Sequence, residues 1–147
     1  MEISIAIGAD HRGFKLKEFL KQQHSCAGHI IAWHDCGASD DQRSDYPIFA
    51  HLVCQQILTD HIMYGVLLCG TGVGMAIAAN RFEGIYAAVA WNIDVARLAR
   101  EDDNCNVLVI PADFCDEKLA WQMVEVWLSS KFKDGRYAER IGLIDAE

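Results

Sequence analysis

The chain has 147 residues, and its proportions of 52% hydrophobic and 23% charged residues are typical of a globular protein with a substantial core. A formal net charge of −8 argues against nucleic-acid binding, because phosphate contacts along DNA or RNA need clustered lysines and arginines. No apolar run approaches the roughly 18 residues of a transmembrane helix. These properties predict a single domain over residues 1–147 that binds neither nucleic acid nor a membrane.

The cysteines and the N-terminus bear on the cellular compartment. The six cysteines form no CxxC pair and show no spacing typical of a zinc site. Residues 1–11, MEISIAIGADH, lack the basic segment and apolar core of a signal peptide, and they resemble a first strand. Free thiols are typical of a reducing cytosol. We therefore expect a cytoplasmic protein that holds no metal.

Strand-like and helix-like segments alternate along the chain. The β-branched run at 3–7 predicts a first strand, and the amphipathic pattern at 14–23 predicts a first helix. The other strands are expected at 30–34, 66–68, 85–90 and 107–110, and the other helices from 45–47 onward, at 75–81, 94–101 and 119–128, and within the tail 131–147. This alternation predicts an α/β fold with a five-stranded parallel sheet flanked by helices.

The segment 65–81, GVLLCGTGVGMAIAANR, joins the third predicted strand to a helix through a glycine-rich turn. Cys69 ends the strand, and the turn consists of Gly70, Thr71, Gly72, Val73 and Gly74. Glycines let a backbone approach a ligand closely. The free N–H groups at a helix start also attract anions. The segment therefore predicts a thiol beside an anion-binding turn.

Two better-known phosphate motifs are excluded for this turn. A dinucleotide fingerprint would follow the first strand, would have the full GxGxxG spacing and would place an acidic residue after the next strand. The turn meets none of these conditions, since it follows the third strand and Val89-Ala90-Trp91 ends the next one. A Walker loop is excluded because no GK[ST] follows.

Cys69 is a candidate nucleophile or general base. Nucleophilic catalysis would need an oriented histidine, and only His11 lies on the predicted functional edge of the sheet. As a base, the thiolate would remove a proton α to a carbonyl while the amides of the turn hold the enediolate oxygen. Arg136 and Arg140 are four residues apart, so they can share a helical face and bind a phosphate. This set favours the isomerisation of a sugar phosphate.

Each of these residues also has a simpler interpretation. His11 can be a polar turn residue after a strand, and Asp10 can cap the helix that follows. Arg136 and Arg140 can form a solvated surface, and Asp45 can cap a helix. What favours the functional interpretation is that polar residues follow several predicted strands at one edge of the sheet.

In their order along the chain, these motifs resemble type B ribose-5-phosphate isomerases, a family that includes the galactose-6-phosphate isomerase subunits. The matching stretches are 8–11 (GADH), 45–47 (DYP), 69–74 (CGTGVG), 78–81 (AANR), 106–108 (NVL) and 135–136 (GR) with Arg140. They are spread over essentially the whole chain, and the central stretch is highly specific.

The resemblance implies a Rossmann-like three-layer domain with a C-terminal helical tail and no metal or organic cofactor. It implies a homodimer or a dimer of dimers whose active sites lie between subunits. The substrate would be a small phosphorylated sugar, and the reaction would interconvert ribose 5-phosphate and ribulose 5-phosphate in the pentose phosphate pathway. The implied catalytic residues are Cys69, Thr71 and Asp102, and the implied substrate-binding residues are Asp10, His11, Gly70, Gly72, Val73, Gly74, Asp103, Arg136 and Arg140.

Within this resemblance, Cys69 would move a proton between C1 and C2 of the open sugar. The amides of 70–74 would hold the enediolate, and Thr71, Asp10 and His11 would position or open the sugar ring. Arg136 and Arg140 would bind the phosphate.

The chain departs from the family at three places. The family usually has His-Asn where Asp102-Asp103 stand, an arginine at Asp113 and a histidine at Tyr137. Asp102 can act as a ring-opening base in place of the histidine. Asp113 would repel a phosphate 4 Å away by roughly 1–4 kcal/mol, depending on screening. The alternatives are therefore an isomerase for a hexose or tetrose phosphate or an unphosphorylated sugar, or a binding subunit that has lost turnover.

Overall fold

A six-stranded sheet runs through the centre of the computed structural model, which describes residues 1–146. The strands are β1 (Glu2–Ala9), β2 (Ser25–Cys26), β3 (His29–Asp35), β4 (Tyr64–Cys69), β5 (Ala87–Val89) and β6 (Val107–Pro111). The helices are α1 (Phe14–Lys21), α2 (Tyr46–Thr59), α3 (Val73–Ala79), α4 (Ile93–Asp103), α5 (Glu117–Ser129) and α6 (Arg136–Ile144), with a 3₁₀ turn at Ala112–Phe114. The strand order is β2-β3-β1-β4-β6-β5.

The predicted α/β fold with a helical C-terminal tail is confirmed, but the sheet has six strands and not five. The additional strand, β2, pairs antiparallel with β3, and all other neighbouring strands are parallel. The hairpin between them turns at Ala27 and Gly28, whose φ angles are 50° and 81°. A strand of two residues has no periodic pattern, so the sequence does not predict it.

Strand β5 is shorter than the predicted segment 85–90 and lies at an edge of the sheet. The side chain of Asn80 occupies its open side. The Asn80 Nδ2 donates to the Ala87 carbonyl at 2.8 Å, and its Oδ1 accepts from the Ala87 N–H at 2.8 Å. These two bonds satisfy the N–H and the carbonyl of Ala87, which an edge strand would otherwise offer to another chain.

The alternation of side chains along β1 divides the core between the two faces of the sheet. Ile5 and Ile7 pack on the face that α1, α4 and α5 cover. Ala6, between them, packs on the opposite face with α2 and α3. The helices on both faces form the outer layers of a three-layer domain. Among residues 1–146, no helix is both long enough and apolar enough to span a membrane.

The sheet order determines which loops meet. Strand β4 lies between β1 and β6 and is parallel to both. The loops that leave the carboxyl ends of these three strands are therefore neighbours, as expected for ligand sites on parallel sheets. Cys69 ends the middle strand, so it lies between the loop after Ala9 and the 3₁₀ turn after Pro111.

Helix α4 returns the chain from the carboxyl ends of the strands to their amino ends, and we call these two ends of the sheet its carboxyl edge and its amino edge. It begins after the carboxyl end of β5 and ends at Asp103, shortly before β6 begins at Val107. Its last turn therefore lies at the amino edge of the sheet. Helix α6 packs against α4 and contributes no buried residue to the core.

Candidate active site

Cys69 occupies the end of the central strand and is only 5% exposed. The other five cysteines are poor candidates for a base, because burial raises the pKa of each thiol and disfavours the thiolate. The pKa is raised to about 11 for Cys54, about 12 for Cys105 and about 11 for Cys115, and it is raised for Cys26 and Cys36. The position of Cys69 at the end of β4, directly before the glycine turn, favours it as the reactive thiol.

The glycine turn after Cys69 depends on close packing as well as on backbone freedom. Gly72 has a φ of 78°, a conformation that strains a residue with a side chain. A Cβ on Gly74 would lie 2.6 Å from the Cε1 atom of Tyr46, so the tyrosine ring fills that space. The Thr71 Oγ1 accepts a hydrogen bond from the Val73 N–H at 3.3 Å. The other first-turn N–H groups of α3 lack intrahelical acceptors and can face a ligand.

Asp10 follows β1 and is 5% exposed. Its Oδ1 accepts hydrogen bonds from the backbone N–H groups of Arg12 at 3.0 Å and Gly13 at 3.2 Å. This geometry supports the turn before α1, although Gly13 occupies the N-cap position itself. The Oδ2 of Asp10 accepts no hydrogen bond from the part of the chain described here, so it can accept one from a substrate hydroxyl.

His11 makes two hydrogen bonds to Ser44 and so holds the end of the polar loop 38–44 next to the loop that follows β1. The His11 Nδ1 accepts a hydrogen bond from the backbone N–H of Ser44 at 3.2 Å, and the backbone N–H of His11 donates to the Ser44 Oγ at 3.1 Å. Because Nδ1 is an acceptor, the neutral ring carries its proton on Nε2. In this form His11 has a donor at Nε2 besides the two bonds that hold Ser44. The other predicted cap, Asp45, stands at the N-cap of α2 but makes no side-chain capping bond.

Arg12 and Asp113 form an ion pair across the end of the central strand. The Arg12 Nη2 contacts the Asp113 Oδ2, and the backbone N–H of Asp113 donates to the Gly70 carbonyl at 3.0 Å. The Arg12 guanidinium occupies the space where a Cβ on Gly70 would lie, with its Nη1 2.7 Å from that position. The phosphate repulsion expected from Asp113 is therefore opposed by an adjacent cation.

The remaining predicted residues form a second cluster around Tyr137. The Lys133 Nζ, the Arg136 Cζ and the Arg140 Cζ lie 5.1, 5.3 and 5.4 Å from the centre of its ring. A hydrogen bond from Arg136, together with the charge of Lys133, holds the pKa of Tyr137 below its usual value. The Lys133 Nζ also donates to the Asp102 Oδ1 at 2.8 Å.

Asp103 belongs to the same cluster. Burial and the neighbouring Asp102 raise the pKa of its carboxyl, and Arg140 opposes that shift. Among the charged groups of this cluster, Arg140 is the one that favours the ionised form of Asp103.

The predicted site is therefore divided within one chain. We call the residues around Cys69 the carboxyl-edge group and those around Tyr137 the amino-edge group, after the edges of the sheet at which they lie. The carboxyl-edge group consists of Asp10, His11, Arg12, residues 69–74 and Asp113. The amino-edge group consists of Asp102, Asp103, Lys133, Arg136, Tyr137 and Arg140. A single chain does not bring the two groups together.

Sequence reasoning missed Arg12, Ser44, Tyr46 and Lys133. Arg12 and Asp113 carry opposite charges just after two strands, which is a signal only once those strands are known to flank β4. Ser44 contacts the site through tertiary packing and leaves no motif, whereas Tyr46 lies in the matching stretch 45–47 but has no role assigned to it from the sequence. Among residues 1–146, no group of three or more His, Cys, Asp and Glu side chains is arranged to hold a metal ion.

Comparison with known proteins identifies the family. The family model described as Ribose/Galactose Isomerase matches residues 5–144. Ribose-5-phosphate isomerase B of Escherichia coli is 36% identical over 146 residues, which are 97% of this chain and 94% of that protein. The crystal structure of a ribose 5-phosphate isomerase from Thermotoga maritima has 43% identity and a TM-score of 0.91, with 99% of each chain covered.

A further solved structure carries a ligand. Ribose-5-phosphate isomerase B of Mycoplasma genitalium, with bound ribulose 5-phosphate, has 35% identity and a TM-score of 0.85, with 97% of this chain and 93% of that chain covered. The chain described here belongs to the ribose/galactose isomerase family.

Proposed function

We propose that this ribose/galactose isomerase interconverts ribose 5-phosphate and ribulose 5-phosphate, with Cys69 as the base that moves the proton. The observation that carries the proposal is the position of Cys69 at the end of β4, directly before a glycine turn with free amides. The names of the relatives support the substrate, and so does the ribulose 5-phosphate bound by the Mycoplasma genitalium protein.

The chemistry follows from a thiolate beside an oxyanion-binding turn. The Cys69 thiolate removes the proton from C2 of open-chain ribose 5-phosphate, and the electron pair of the C–H bond forms the C1–C2 double bond as O1 becomes negative. The N–H groups of the turn stabilise this charge by donating hydrogen bonds to the oxygen on which it develops. The thiol then returns the proton to C1, the O2 proton moves to O1, and C2 becomes the ketone carbonyl.

Ring opening precedes this step, since the cyclic sugar has no carbonyl. It requires a proton to leave the O1 hydroxyl and another to reach the ring oxygen. We assign Asp102 as the base and the Nε2–H of His11 as a donor to the sugar, with Asp10 and Thr71 as further contacts to its hydroxyls. The hydrogen bond from Lys133 to the Asp102 Oδ1 holds that carboxyl group in position.

The reaction needs both groups of residues at one place, so we propose that a second copy of the chain supplies the amino-edge group. Arg136 and Arg140 of that copy would bind the phosphate. Exposed apolar side chains on two adjacent helices, α2 and α3, support an interface next to the glycine turn. They are Ile48 at 56%, Leu52 at 42%, Val73 at 55% and Ile77 at 62% exposure. Burying such side chains is the main driving force of association between subunits.

We further propose that residues 1–147 are one isomerase domain and that the protein acts in the cytoplasm. The relatives match nearly their whole length to this chain, which supports one functional unit. The six cysteines are all free thiols, which favours a reducing compartment.

The test is an isomerase assay with ribose 5-phosphate and with tetrose and hexose phosphates, for the wild type, Cys69→Ser and Cys69→Ala. We expect turnover of ribose 5-phosphate and a loss of about 10³-fold or more in kcat in both variants, since neither side chain is a base at neutral pH. Cys54→Ala, which also removes one buried thiol, is the matched control and should keep turnover. Full activity of Cys69→Ala would disprove the role of Cys69. A wild type that turns over only a hexose or tetrose phosphate would move the proposal to that substrate.

A further inference from the structure

We propose that Arg12 binds the phosphate of the substrate on the Cys69 side of the site, and that Asp113 is the residue that positions Arg12. The identity of the substrate rests on the function proposed above. The role of the pair rests on its own geometry, which places an arginine and an aspartate from two different loops over the residue that follows Cys69.

The position of Arg12 is determined by contacts on three sides. Its backbone N–H is held by the buried Oδ1 of Asp10, and its Nη2 contacts Asp113. Its Cζ, Nε and Nη1 atoms lie over Gly70. Gly70 does not have a positive φ, so the backbone alone does not require glycine there. The room for the guanidinium is what requires it, because any Cβ would displace Arg12.

The remaining donors of Arg12 have no protein acceptor. Nη2 is used by Asp113, whereas neither Nε nor Nη1 donates a hydrogen bond within residues 1–146. The side chain is 52% exposed, so a ligand can reach it. Nε–H and Nη1–H can each donate a hydrogen bond to a phosphate oxygen, and the positive charge of the guanidinium strengthens such bonds. The phosphate is also the one group of a sugar phosphate that carries a full negative charge at neutral pH.

Asp113 has two opposite effects on this site. It fixes the guanidinium over Gly70, which lowers the entropy that Arg12 loses when a ligand binds. Its negative charge also repels the phosphate, and Arg12 compensates that charge while the pair is intact. Removing Arg12 therefore weakens phosphate binding by more than the loss of one cation, because it leaves the negative charge of Asp113 uncompensated beside the ligand. This coupling distinguishes the proposal from a surface ion pair that only supports the turn.

The experiment measures phosphate binding and turnover separately. Inorganic phosphate is titrated by calorimetry into the full-length wild type, Arg12→Ala, Arg12→Ala/Asp113→Asn and Lys15→Ala, and KM and kcat are measured for ribose 5-phosphate. Lys15 is exposed on the first turn of α1 and makes no ion pair in the part of the chain that the structure describes, so its replacement controls for the loss of one positive charge. Thermal unfolding checks that each variant is folded.

We expect Arg12→Ala to raise the Kd of phosphate and the KM of ribose 5-phosphate by about tenfold or more, with a smaller effect on kcat. The double variant should bind phosphate about threefold or more tightly than Arg12→Ala, because the uncompensated carboxylate is gone. Lys15→Ala should stay within about twofold of the wild type, since solvent and salt screen an exposed charge that does not contact the ligand.

The proposal is overturned if Arg12→Ala leaves the Kd of phosphate unchanged, if the double variant binds no better than the single one, or if the wild type does not bind phosphate. These outcomes differ from a failure of the proposed function. In that case the wild type would not turn over ribose 5-phosphate, while the effect of Arg12 on phosphate binding would remain.

Discussion

A complementation experiment tests whether each active site takes residues from two chains. Cys69 lies at the carboxyl edge of the sheet, whereas Arg136 and Arg140 lie on α6, which packs against α4 at the amino edge. The two variants to combine are Cys69→Ala and Arg136→Ala/Arg140→Ala. Each alone should be nearly inactive, the first because the base is missing and the second because about two charge-assisted phosphate contacts are lost.

The expected activity of the mixture follows from the topology. If one chain provides the thiol and another the arginines, two chains form each site. Each of these two chains is either variant with equal chance, independently of the other. In an equal mixture, a site has an intact thiol chain in about half of the cases and an intact arginine chain in about half, so about one quarter of the sites are complete. This fraction is the same for a dimer and for a dimer of dimers with pairwise sites.

The two variants are co-expressed, each with its own affinity tag. Two successive affinity steps then isolate the assemblies that contain both kinds of chain. A dimer selected in this way has one complete and one doubly defective site, so it should show about half of the wild-type kcat per chain pair. Mixing the purified variants without exchange of subunits is the control and should give no recovery. If co-expression also gives no recovery, both groups act within one chain, and the proposed arrangement between subunits is wrong.

Three further predictions follow from individual contacts. Asp35 holds the fully buried Lys17 at 2.7 Å, and although burial alone would raise the pKa of Asp35, hydrogen bonds from Lys17 and Lys21 hold it below its usual value. Asp35→Asn should therefore cost about 3–5 kcal/mol in urea unfolding at pH 7, with most of it restored by Lys17→Met. The difference in stability from the wild type should begin to shrink as the pH falls below about 4, where the unfolded chain is protonated at Asp35, and should be lost below the lowered pKa of Asp35 in the folded protein. The pKa of Tyr137 should rise when inorganic phosphate competes for Arg136, and ultraviolet titration against Tyr137→Phe measures this; an equal ionic strength of chloride should have no such effect. Gly74→Ala should destabilise the protein by about 1–3 kcal/mol through contact with the Tyr46 ring, and an unchanged unfolding midpoint would contradict that contact.

The general fold could be predicted because its signals are local. Each long strand is a continuous apolar run, and each helix has an amphipathic pattern or a recognisable start such as Tyr46-Pro47 after Asp45. Strand β2 could not be predicted, since its two residues are defined by pairing with β3 and by the turn at Ala27 and Gly28. Strand β5 was predicted too long because only Ala87–Val89 of the apolar segment 85–90 pair with β6.

Cys69 and the glycine turn could be predicted as parts of the candidate site, whereas the pair of Arg12 and Asp113 could not. Cys69 and the turn are adjacent in sequence, so their proximity needs no tertiary information. The pairing of Arg12 with Asp113 depends on β1 and β6 being the two neighbours of β4, and this order cannot be read from a linear pattern. An aspartate where the family usually has an arginine suggests repulsion of the substrate, until the structure places an arginine from another loop beside it.

The distribution of cations explains how a chain with a net charge of −8 can take a dianionic substrate. Charges farther away than about 8–10 Å are largely screened at physiological salt, so local groups determine the potential at the site. At the carboxyl edge, Arg12 is balanced by Asp113, and this group alone has little net attraction for a phosphate. The amino edge holds Lys133, Arg136 and Arg140 against Asp102 and Asp103. A third carboxylate there, that of Glu101, lies 3.6 Å from Lys133 and is also paired with Arg97 at 3.0 Å. Phosphate affinity should therefore depend on bringing the two edges together, so that an isolated chain would bind the substrate weakly even with Cys69 and its turn fully formed.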